Sequence, residues 1–327
     1  MWLRRNWSAL NTDKEPTTDS DRRREPMDKR ILVTGATGFI GHILCRELIE
    51  RGYGLTVLSR QKPDSVRSIC GRVEVTDDLE KLRAHPGFDA VINLAGEGIA
   101  DKRWSHARKE QLRASRIDLT RTLVGVVRTW SNMPEVLVSG SAVGFYGNQG
   151  DHLVTEDTEP HDEFTHQLCR DWEQEALKLE TDGVRVCLSR TGVVAGRNGG
   201  FLQRMILPFK VGLGGKLGSG RQYMPWVHRD DVVSGLLWML DTPTASGPYN
   251  MVSPNPVTNA EFTRTLAQVL HRPAVIPPPA PALKLILGEM AGLLLTGQKA
   301  IPDRLKREGF EFRLAELEAA LRESVGT

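Results

Sequence analysis

The chain has 327 residues, of which 43 are Lys or Arg and 41 are Asp or Glu, so its formal net charge is only +2. Such even mixing of charge excludes a general role in binding nucleic acid or membrane surfaces, because both require a strongly basic surface. The length allows one large α/β domain, or a nucleotide domain with a smaller companion.

The first 29 residues show no hydrophobic periodicity and mix basic and acidic side chains with Ser, Thr and two prolines. We therefore expect a disordered tail over 1–29. An organelle transit peptide is the alternative, but acidic residues such as Asp13, Glu15 and Asp19 do not suit an acid-poor targeting helix. Translation from Met27 would still give a complete domain, and the choice between Met1 and Met27 stays open.

Residues 30–60 combine an apolar strand, a glycine-rich turn, an amphipathic helix and a second apolar strand. Gly35, Gly38 and Gly41 allow a tight turn, close approach of a pyrophosphate and tight packing of the helix on the sheet. The free N–H groups at the start of the helix favour anions. This unit predicts a dinucleotide site.

The end of the second strand distinguishes the two nicotinamide cofactors. An NAD site usually has an acidic residue there, whereas an NADP site needs a cation for the 2′-phosphate. This chain has Ser59, Arg60 and Lys62, with no acid before Asp64. The sequence therefore predicts NADP, with an ordinary exposed arginine as the alternative for Arg60.

Further buried strands are predicted at 90–94, 135–139, 184–189 and 73–75, separated by helical stretches such as 104–129 and 164–180. This alternation predicts an α/β fold with a doubly wound parallel sheet, and ligands then bind at the carboxyl ends of the strands. We expect an NADP-binding Rossmann domain over 30–195. We expect 196–327 to form mostly a substrate lobe and C-terminal extension, with some segments returning to the sheet.

Four cysteines lie far apart in sequence, with no CxxC pair and no metal-ligand spacing among the histidines. We expect a reducing compartment, a cytoplasmic location and no metal site. The longest apolar stretch near the C-terminus, 283–295, is interrupted by charges, so no membrane span is predicted.

Several long strings identify a resemblance. NLAG (93–96), SGSAVGFYG (139–147) and PWVHRDDV (225–232) follow the glycine motif in an order that resembles the extended short-chain dehydrogenase/reductase superfamily, in its nucleotide-sugar epimerase/dehydratase group. GEGIADKRW (96–104) and EFTHQLCRDWE (163–173) are similar to an atypical epimerase-like subfamily with a C-terminal extension of unknown function. The resemblance covers about residues 30–324.

The resemblance implies which residues bind the cofactor. Those at the pyrophosphate would be Gly35, Thr37, Gly38, Phe39, Ile40 and Gly41, and those at the 2′-phosphate Ser59 and Arg60. Leu94, Ala95, Gly96 and Glu97 would pass beneath the adenosine and ribose, and Val193 would border the nicotinamide. Arg116 stands where the superfamily usually has asparagine at a helix kink, so it would reach the cofactor instead. Strand-end packing for Leu94 and Ala95, and a surface charge for Arg116, remain alternatives.

One departure concerns catalysis. Reductases of this superfamily use a serine followed by tyrosine and lysine in a YxxxK spacing, because the lysine and the positive cofactor ring lower the pKa of the tyrosine. Ser141 matches the serine, but Thr165 stands at the tyrosine position and Cys169 at the lysine position. The standard proton transfer is therefore in doubt.

Other groups could replace the missing acid. Tyr146 and His166 are candidates for proton transfer, with a packing residue and an exposed helical histidine as their simpler interpretations. Ser141 could also be only a strand-end hydroxyl bonded to backbone. We predict Ser141, Tyr146 and Thr165 as the candidate catalytic residues.

An anionic substrate would meet cations near the glycine-rich stretch 212–220. Arg190, Lys216, Arg221, His228 and Arg229 surround this stretch in the sequence, and a solvated charged face is the alternative. His228 and Asp231 are better explained as residues that tie the lobe to the sheet.

Two functions follow. The first is an NADP(H)-dependent oxidoreductase or epimerase that acts on an unidentified small carbonyl or hydroxyl compound, with an anionic group as one option. The second is a catalytically weak NADP(H)-binding sensor or interaction protein. The sequence predicts no nucleic-acid or membrane partner, and leaves the substrate, the direction of reaction and the oligomeric state open.

Overall fold

A computed structural model describes residues 29–274 and 278–326. The predicted tail, apart from Lys29, and both possible start sites lie outside the described residues.

A seven-stranded parallel sheet forms the centre of the molecule, in the order β11-β7-β5-β4-β1-β2-β3. Its strands are β1 (Arg30–Thr34), β2 (Gly54–Leu58), β3 (Glu74–Thr76), β4 (Ala90–Asn93), β5 (Val136–Ala142), β7 (Arg185–Thr191) and β11 (Gly247–Met251). Three two-stranded pairs involve β6 (Leu153–Val154), β8 (Val193–Ala195), β9 (Tyr223–Met224), β10 (Trp226–His228), β12 (Val257–Thr258) and β13 (Lys299–Ala300). The predicted doubly wound parallel fold is confirmed.

Helices cover both faces of the sheet. They are α1 (Gly41–Glu50), α2 (Pro63–Cys70), α3 (His106–Arg113), α4 (Leu119–Val127), α5 (Phe164–Leu177), α6 (Gly200–Lys210), α7 (Arg229–Asp241), α8 (Asn259–Leu270), α9 (Ala280–Leu287), α10 (Gly292–Leu295), α11 (Asp303–Arg307) and α12 (Leu317–Val325). None of the helices in the described part of the chain is long and apolar enough to cross a bilayer.

The sheet has a hydrophobic core on each face, and successive side chains of β1 point alternately into the two cores. Ile31 and Val33 point to the core that includes helices α1, α2 and α7, whereas Leu32 points to the core that includes α4 and α5. All three side chains are fully buried. A strand with both faces buried reads as a continuous apolar run, which is why these strands were detectable in the sequence.

The region from Pro243 to Pro256 contains β11, which pairs with β7 at the edge of the main sheet. It is one segment of 196–327 that returns to the sheet. Pro248 within this strand is compatible with an edge position, where one side needs no backbone donor. Both β11 and α7 thus belong to the sheet layer.

The predicted helix over 104–129 is also divided. A π-turn, Ala114–Asp118, separates α3 from α4 within one continuous helical run. Such turns insert an extra residue and commonly mark functional sites.

A separate smaller core lies in the C-terminal part of the chain. It is formed by α6, α8 and α12 with the short strands, around the buried residues Phe209, Trp226, Phe262, Leu266 and Leu321. The C-terminal segment therefore packs on the lobe beside the main sheet.

Candidate functional site

The candidate site lies at the carboxyl edge of the main sheet. From β1 the strands β2 and β3 are added on one side of the sheet, and the later strands β4, β5 and β7 are added on the other side. In open parallel sheets, ligands bind at this reversal between β1 and β4, where the connecting helices diverge and leave a crevice. The loops after β1, β2, β4 and β5 border this crevice.

The turn after β1 depends on glycine at two positions. Gly35 has φ +71°, and a Cβ there would lie 2.5 Å from the carbonyl carbon and oxygen of Leu94. A Cβ at Gly41 would overlap the carbonyl oxygen of Gly35. The turn closes through a hydrogen bond from Gly38 N to Gly35 O at 3.0 Å. The Gly35 loop therefore lies directly against the backbone of residues 94 and 95. A side chain at position 35 would collide with that backbone.

The side chains of Phe39 and Ile40 do not line this turn. The ring of Phe39 packs against Gly199, where a Cβ would be 2.5 Å from its Cδ2 atom, and the guanidinium of Arg229 lies 4.9 Å from the ring centroid. Ile40 packs against the core at the start of α1. Both side chains therefore have packing partners within the protein.

The end of β2 contacts the glycine-rich turn through a residue that the sequence did not single out. Gln61 Nε2 donates to Thr37 Oγ1 at 3.2 Å, and Gln61 N donates to Ser59 Oγ at 3.2 Å. Arg60 is exposed. Within the described residues, no carboxylate lies within ion-pair distance of it. The cation predicted for the 2′-phosphate is therefore available on the surface.

The loop after β4 carries the acid of the site. Arg108, which is almost fully buried, pairs with Glu97 and also donates to Gly98 O at 2.8 Å. The hydrogen bond to Arg108 lowers the pKa of Glu97, with further contributions from the positive charges of Arg60 and Lys102. Glu97 is thus ionised at neutral pH, but its charge is compensated.

A buried chain of hydrogen bonds fixes the start of this loop. Thr34 Oγ1 donates to Asn93 Oδ1 at 2.6 Å, and Asn93 Nδ2 donates to Thr120 Oγ1 at 2.8 Å. Trp172 Nε1 donates to the same hydroxyl at 3.0 Å, and Ala95 N donates to Thr34 Oγ1 at 3.2 Å. Asn93 belongs to the NLAG string, but its role in joining β1, β4, α4 and α5 was not predicted.

Ser141 has a specific partner inside the protein. Its hydroxyl donates to Glu173 Oε1 at 2.5 Å. The same carboxylate accepts from Arg190 Nε and Nη2, each at 2.9 Å, and both members of this ion pair are about 95% buried. Ser141 is therefore more than a strand-end hydroxyl bonded to backbone, since it is held by a buried ion pair.

Tyr146 belongs to the same network. It is fully buried, donates to Asn250 Oδ1 at 2.7 Å and accepts from Arg190 Nη1 at 2.9 Å. Burial raises the pKa of Tyr146 to about 12, so the phenol is a weaker acid than usual. This geometry favours the packing interpretation of Tyr146 over a role in proton transfer.

The first turns of α5 contain Thr165, His166 and Cys169. Thr165 is buried against Gly144, where a Cβ would lie 3.2 Å from the Cβ of Thr165. The expectation that His166 is exposed was wrong, because the ring is buried and its Nδ1 bonds to Phe145 O at 2.6 Å. Burial raises the pKa of Cys169 to about 12, so the thiol is neutral at pH 7. None of these groups supplies the cation expected at the lysine position.

Val193 lies at the junction between sheet and lobe. It starts β8, which pairs with β10, and its N–H donates to Pro225 O at 2.7 Å. Its side chain is partly exposed. A Cβ at the neighbouring position 192 would overlap Pro225 O, so this position requires glycine.

Three of the five cations expected to meet an anionic substrate are buried, namely Arg190, His228 and Arg229. Arg229 donates through Nη1 to Arg197 O at 3.0 Å. Arg190 is enclosed by Glu173 and by the ring of Phe145, whose centroid lies 3.5 Å from the guanidinium carbon. His228 is fully buried, accepts from Asp230 N at 3.2 Å and bonds through Nε2 to Glu323 at 2.8 Å. Lys216 and Arg221 are exposed. Only the exposed cations can meet a substrate.

The prediction that His228 and Asp231 tie the lobe to the sheet is confirmed by their contacts. Asp231 accepts from Arg313 N at 2.8 Å and from Leu314 N at 3.0 Å, and Glu323 O accepts from Arg197 Nε at 2.7 Å. His228, Asp230 and Glu323 also place potential metal ligands within 4.8 Å of one another, but both ring nitrogens of His228 already have hydrogen-bond partners. The cluster works as a structural connection.

Comparison with known proteins confirms the predicted resemblance. Residues 31–253 match the NAD dependent epimerase/dehydratase family, and residues 278–324 match a domain of unknown function, DUF1731. The chain is 39% identical to an Arabidopsis thaliana protein named epimerase family protein SDR39U1 homolog, chloroplastic, over 97% of this chain and 92% of that one. It is 40% identical to epimerase family protein Mb2239 of Mycobacterium bovis, over 86% and 93%. The crystal structure of human epimerase family protein SDR39U1 (isoform 2) with NADPH matches with a TM-score of 0.83 at 36% identity, covering 91% of this chain and 99% of that one.

Proposed function

Because the chain belongs to the NAD dependent epimerase/dehydratase family, we propose that it binds NADP(H) and acts as an oxidoreductase or epimerase on a small carbonyl or hydroxyl compound. The observation that carries this proposal is the glycine-rich turn of Gly35, Gly38 and Gly41 at the reversal of the sheet, with Arg60 at the end of β2. The bound cofactor would supply or accept the hydride. The human relative was crystallised with NADPH, which supports the same cofactor here.

The preference for NADP over NAD depends on local charge. Arg60 offers a guanidinium where no carboxylate stands. Glu97 is the nearby acid, but Arg108 neutralises it, so repulsion of a 2′-phosphate is reduced. The crevice between β1 and β4 can therefore accept the extra phosphate of NADP.

We expect NADPH to bind at least about tenfold more tightly than NADH, since losing one charge-assisted phosphate contact costs about 1.5–3 kcal/mol. Arg60→Asp should reverse this order, because it places an acid where a ribose hydroxyl would be bound and a phosphate repelled. Calorimetry with both dinucleotides measures the ratio.

Arg67→Asp is the matched control for this test. It makes the same change in net charge on α2, where Arg67 pairs with Asp64 on the surface. The preference for NADPH should persist in this variant. Equal affinities for NADPH and NADH in the unmodified protein would contradict the assignment of Ser59 and Arg60.

The chemistry that this site can perform is limited by its proton donors. Ser141 directs its proton to Glu173, Tyr146 is enclosed, and Cys169 is a neutral thiol. No tyrosine and lysine of the YxxxK spacing stand on α5. This arrangement also supports the second candidate function, an NADP(H)-binding sensor or interaction protein with little catalytic activity.

We expect any hydride transfer to be slow, because general acid catalysis usually supplies about 10²–10⁴-fold in rate and no such pair is present. Ser141→Ala should lower the activity that remains, because Ser141 stands at the position of the superfamily's catalytic serine. Oxidation of NADPH by a panel of carbonyl compounds, followed at about 340 nm, the band of reduced nicotinamide, measures turnover.

Ser139→Ala is the control, since Ser139 is fully buried in the same strand and bonds weakly to Gly140 O at 3.4 Å. Rapid turnover that Ser141→Ala leaves unchanged would disprove this account of the proton transfer. NADPH binding without turnover of any carbonyl compound would favour the sensor function.

A further inference from the structure

A groove with a volume of about 950 Å³ lies between α8 and α12, two helices of the smaller core. Glu318 and Arg322 line it from α12, and Lys216 lines it from the glycine-rich stretch 212–220. None of the described residues that line it belongs to the main sheet or to the loops that border the cofactor crevice. Its residues on α8 recur at spacings of three and four, so they share one face of that helix. They include Ala260, Thr263, Arg264 and Ala267.

The groove is strongly basic, although the whole chain is nearly neutral. Lys216, Arg264 and Arg272 all line it and are exposed. Within the described residues, no carboxylate lies within ion-pair distance of these three cations. Arg322 is the fourth cation, and it pairs at 2.7 Å with Glu318, the one acid among the lining residues. Clustered like charges repel one another unless an anion compensates them, so the groove suits a ligand with several negative charges.

The acid nearest in sequence to Arg264 already has another role. Glu261 accepts hydrogen bonds from Thr258 N at 2.7 Å and from Thr258 Oγ1 at 2.8 Å. These bonds form the capping box at the start of α8. The carboxylate of Glu261 therefore serves the helix N-terminus, and the guanidinium of Arg264 stays available to a ligand.

Thr263 provides an independent observation. It lines the groove and is only 3% exposed, but its hydroxyl has no hydrogen-bond partner among the described residues. Thr265 on the same helix donates to Glu261 O at 3.0 Å. Ser324 on α12 donates to Ala320 O at 2.7 Å. Both neighbouring hydroxyls are thus satisfied within their own helices, whereas the hydroxyl of Thr263 is left for a ligand oxygen.

The cations are spread along the groove. A Cβ at Gly220 would lie 2.8 Å from Lys216 Cδ and 3.1 Å from Ala260 Cβ, so the lysine stem lies beside the first turn of α8. Arg264 is about one turn further along this helix, and Arg272 follows its end. A single phosphate would meet only one part of this array, which favours a ligand with more than one phosphate group.

We propose that this groove binds a soluble small molecule that carries two or more phosphate groups. Guanidinium groups hold phosphate oxygens through parallel N–H donors, lysine adds a compact charge, and the hydroxyl of Thr263 donates to a further oxygen. The volume of the groove is in the range of ligand sites. Lys216 lies in the segment 31–253 that matches the epimerase/dehydratase family, and Arg322 lies in the matched segment 278–324. The C-terminal extension thus shares in a binding site outside the cofactor crevice.

The test uses inorganic tripolyphosphate as the probe and calorimetry as the measurement. We expect Arg264→Gln and Arg272→Gln each to weaken its binding by about tenfold, the loss of one charge-assisted contact. Arg264→Lys keeps the charge and should stay within about threefold of the unmodified protein. Arg72→Gln is the matched control, because Arg72 is also exposed but lies between α2 and β3. It should change the affinity by less than about twofold, since distant surface charges are screened.

Thr263→Val separates a ligand contact from a structural role. Valine has nearly the same shape but lacks the hydroxyl. We expect tripolyphosphate to bind about three- to tenfold more weakly, whereas the midpoint of thermal unfolding stays the same or rises, because the lost hydroxyl has no partner in the protein. Thr265→Val, on the same helix, should leave tripolyphosphate binding unchanged.

NADPH distinguishes the groove from the cofactor crevice. Tripolyphosphate should bind equally well with NADPH present, and binding that NADPH abolishes would place the anion in the crevice and overturn the proposal. The proposal would also be overturned if the unmodified protein did not bind tripolyphosphate, if Arg264→Gln or Thr263→Val kept full affinity, or if Arg72→Gln lost as much as Arg264→Gln. Failure to bind NADPH would reject only the proposed function.

Discussion

Glu173→Ala is expected to lower the free energy of unfolding by about 3–5 kcal/mol, because it leaves Arg190 as a buried charge without a partner. The carboxylate accepts two hydrogen bonds from Arg190 and one from Ser141, and all three groups are buried. Its removal would also release the arginine that holds Tyr146. Urea-induced unfolding followed by circular dichroism measures the difference.

Glu175→Ala provides a control on the same helix. Its partners, Arg121 and Lys178, are both about half exposed, and ion pairs with such partners contribute about 0–1 kcal/mol. If Glu175→Ala lowered the free energy of unfolding as much as Glu173→Ala does, burial of the Glu173–Arg190 pair would not be the cause of the loss.

A double variant tests the physical cause. Glu173→Met combined with Arg190→Met removes both charges, so it should be less destabilising than the sum of the two single substitutions. Strict additivity would mean that the energy comes from packing rather than from an uncompensated charge.

This network also marks the limit of what the sequence could predict. The glycine-rich turn and the apolar strands were detectable because both signals are local: a spacing of glycines, and runs of apolar residues. Arg190 was expected to meet an anionic substrate because it precedes the glycine-rich stretch 212–220 in the sequence. Its actual partner, Glu173, lies on α5, and only the packing of α5 against β5 and β7 brings the two together.

The same reasoning explains the other corrections. β11 was hidden because its sequence, GPYNM, contains turn-forming residues and its identity as a strand depends on pairing with β7. His166 was judged by the usual exposure of helical histidines, but the loop that carries Phe145 covers it. Contacts between distant segments decide these positions, and no local pattern encodes them.

The C-terminal extension is held by a similar long-range contact, at Asp231. This carboxylate lies in the first turn of α7 and is 1% exposed. It accepts hydrogen bonds from the backbone N–H groups of Arg313 and Leu314. The amide hydrogen bonds and the positive end of the helix dipole both stabilise its charge there. The extension is thereby attached directly beside the strand that precedes α7.

The attachment continues towards the predicted cofactor crevice. Glu323 on α12 accepts from Arg197, and the carbonyl oxygen of Arg197 accepts from Arg229 Nη1 at 3.0 Å. Arg229 in turn lies over the ring of Phe39, in the glycine-rich turn. A continuous set of contacts therefore joins the extension to the turn that would bind the pyrophosphate.

Asp231→Ala should consequently have two effects. We expect a loss of about 3 kcal/mol in the free energy of unfolding, because two hydrogen bonds to a charged group are removed. We also expect weaker binding of NADPH, because the support behind Phe39 is loosened. Hydrogen exchange of residues 313–325 should accelerate, and calorimetry should report the change in affinity.

Asp230→Ala, at the adjacent and partly exposed position, should change neither the free energy of unfolding nor the affinity for NADPH appreciably. Unchanged exchange over 313–325 in Asp231→Ala would mean that the apolar contacts of α12 with α8 hold the extension by themselves.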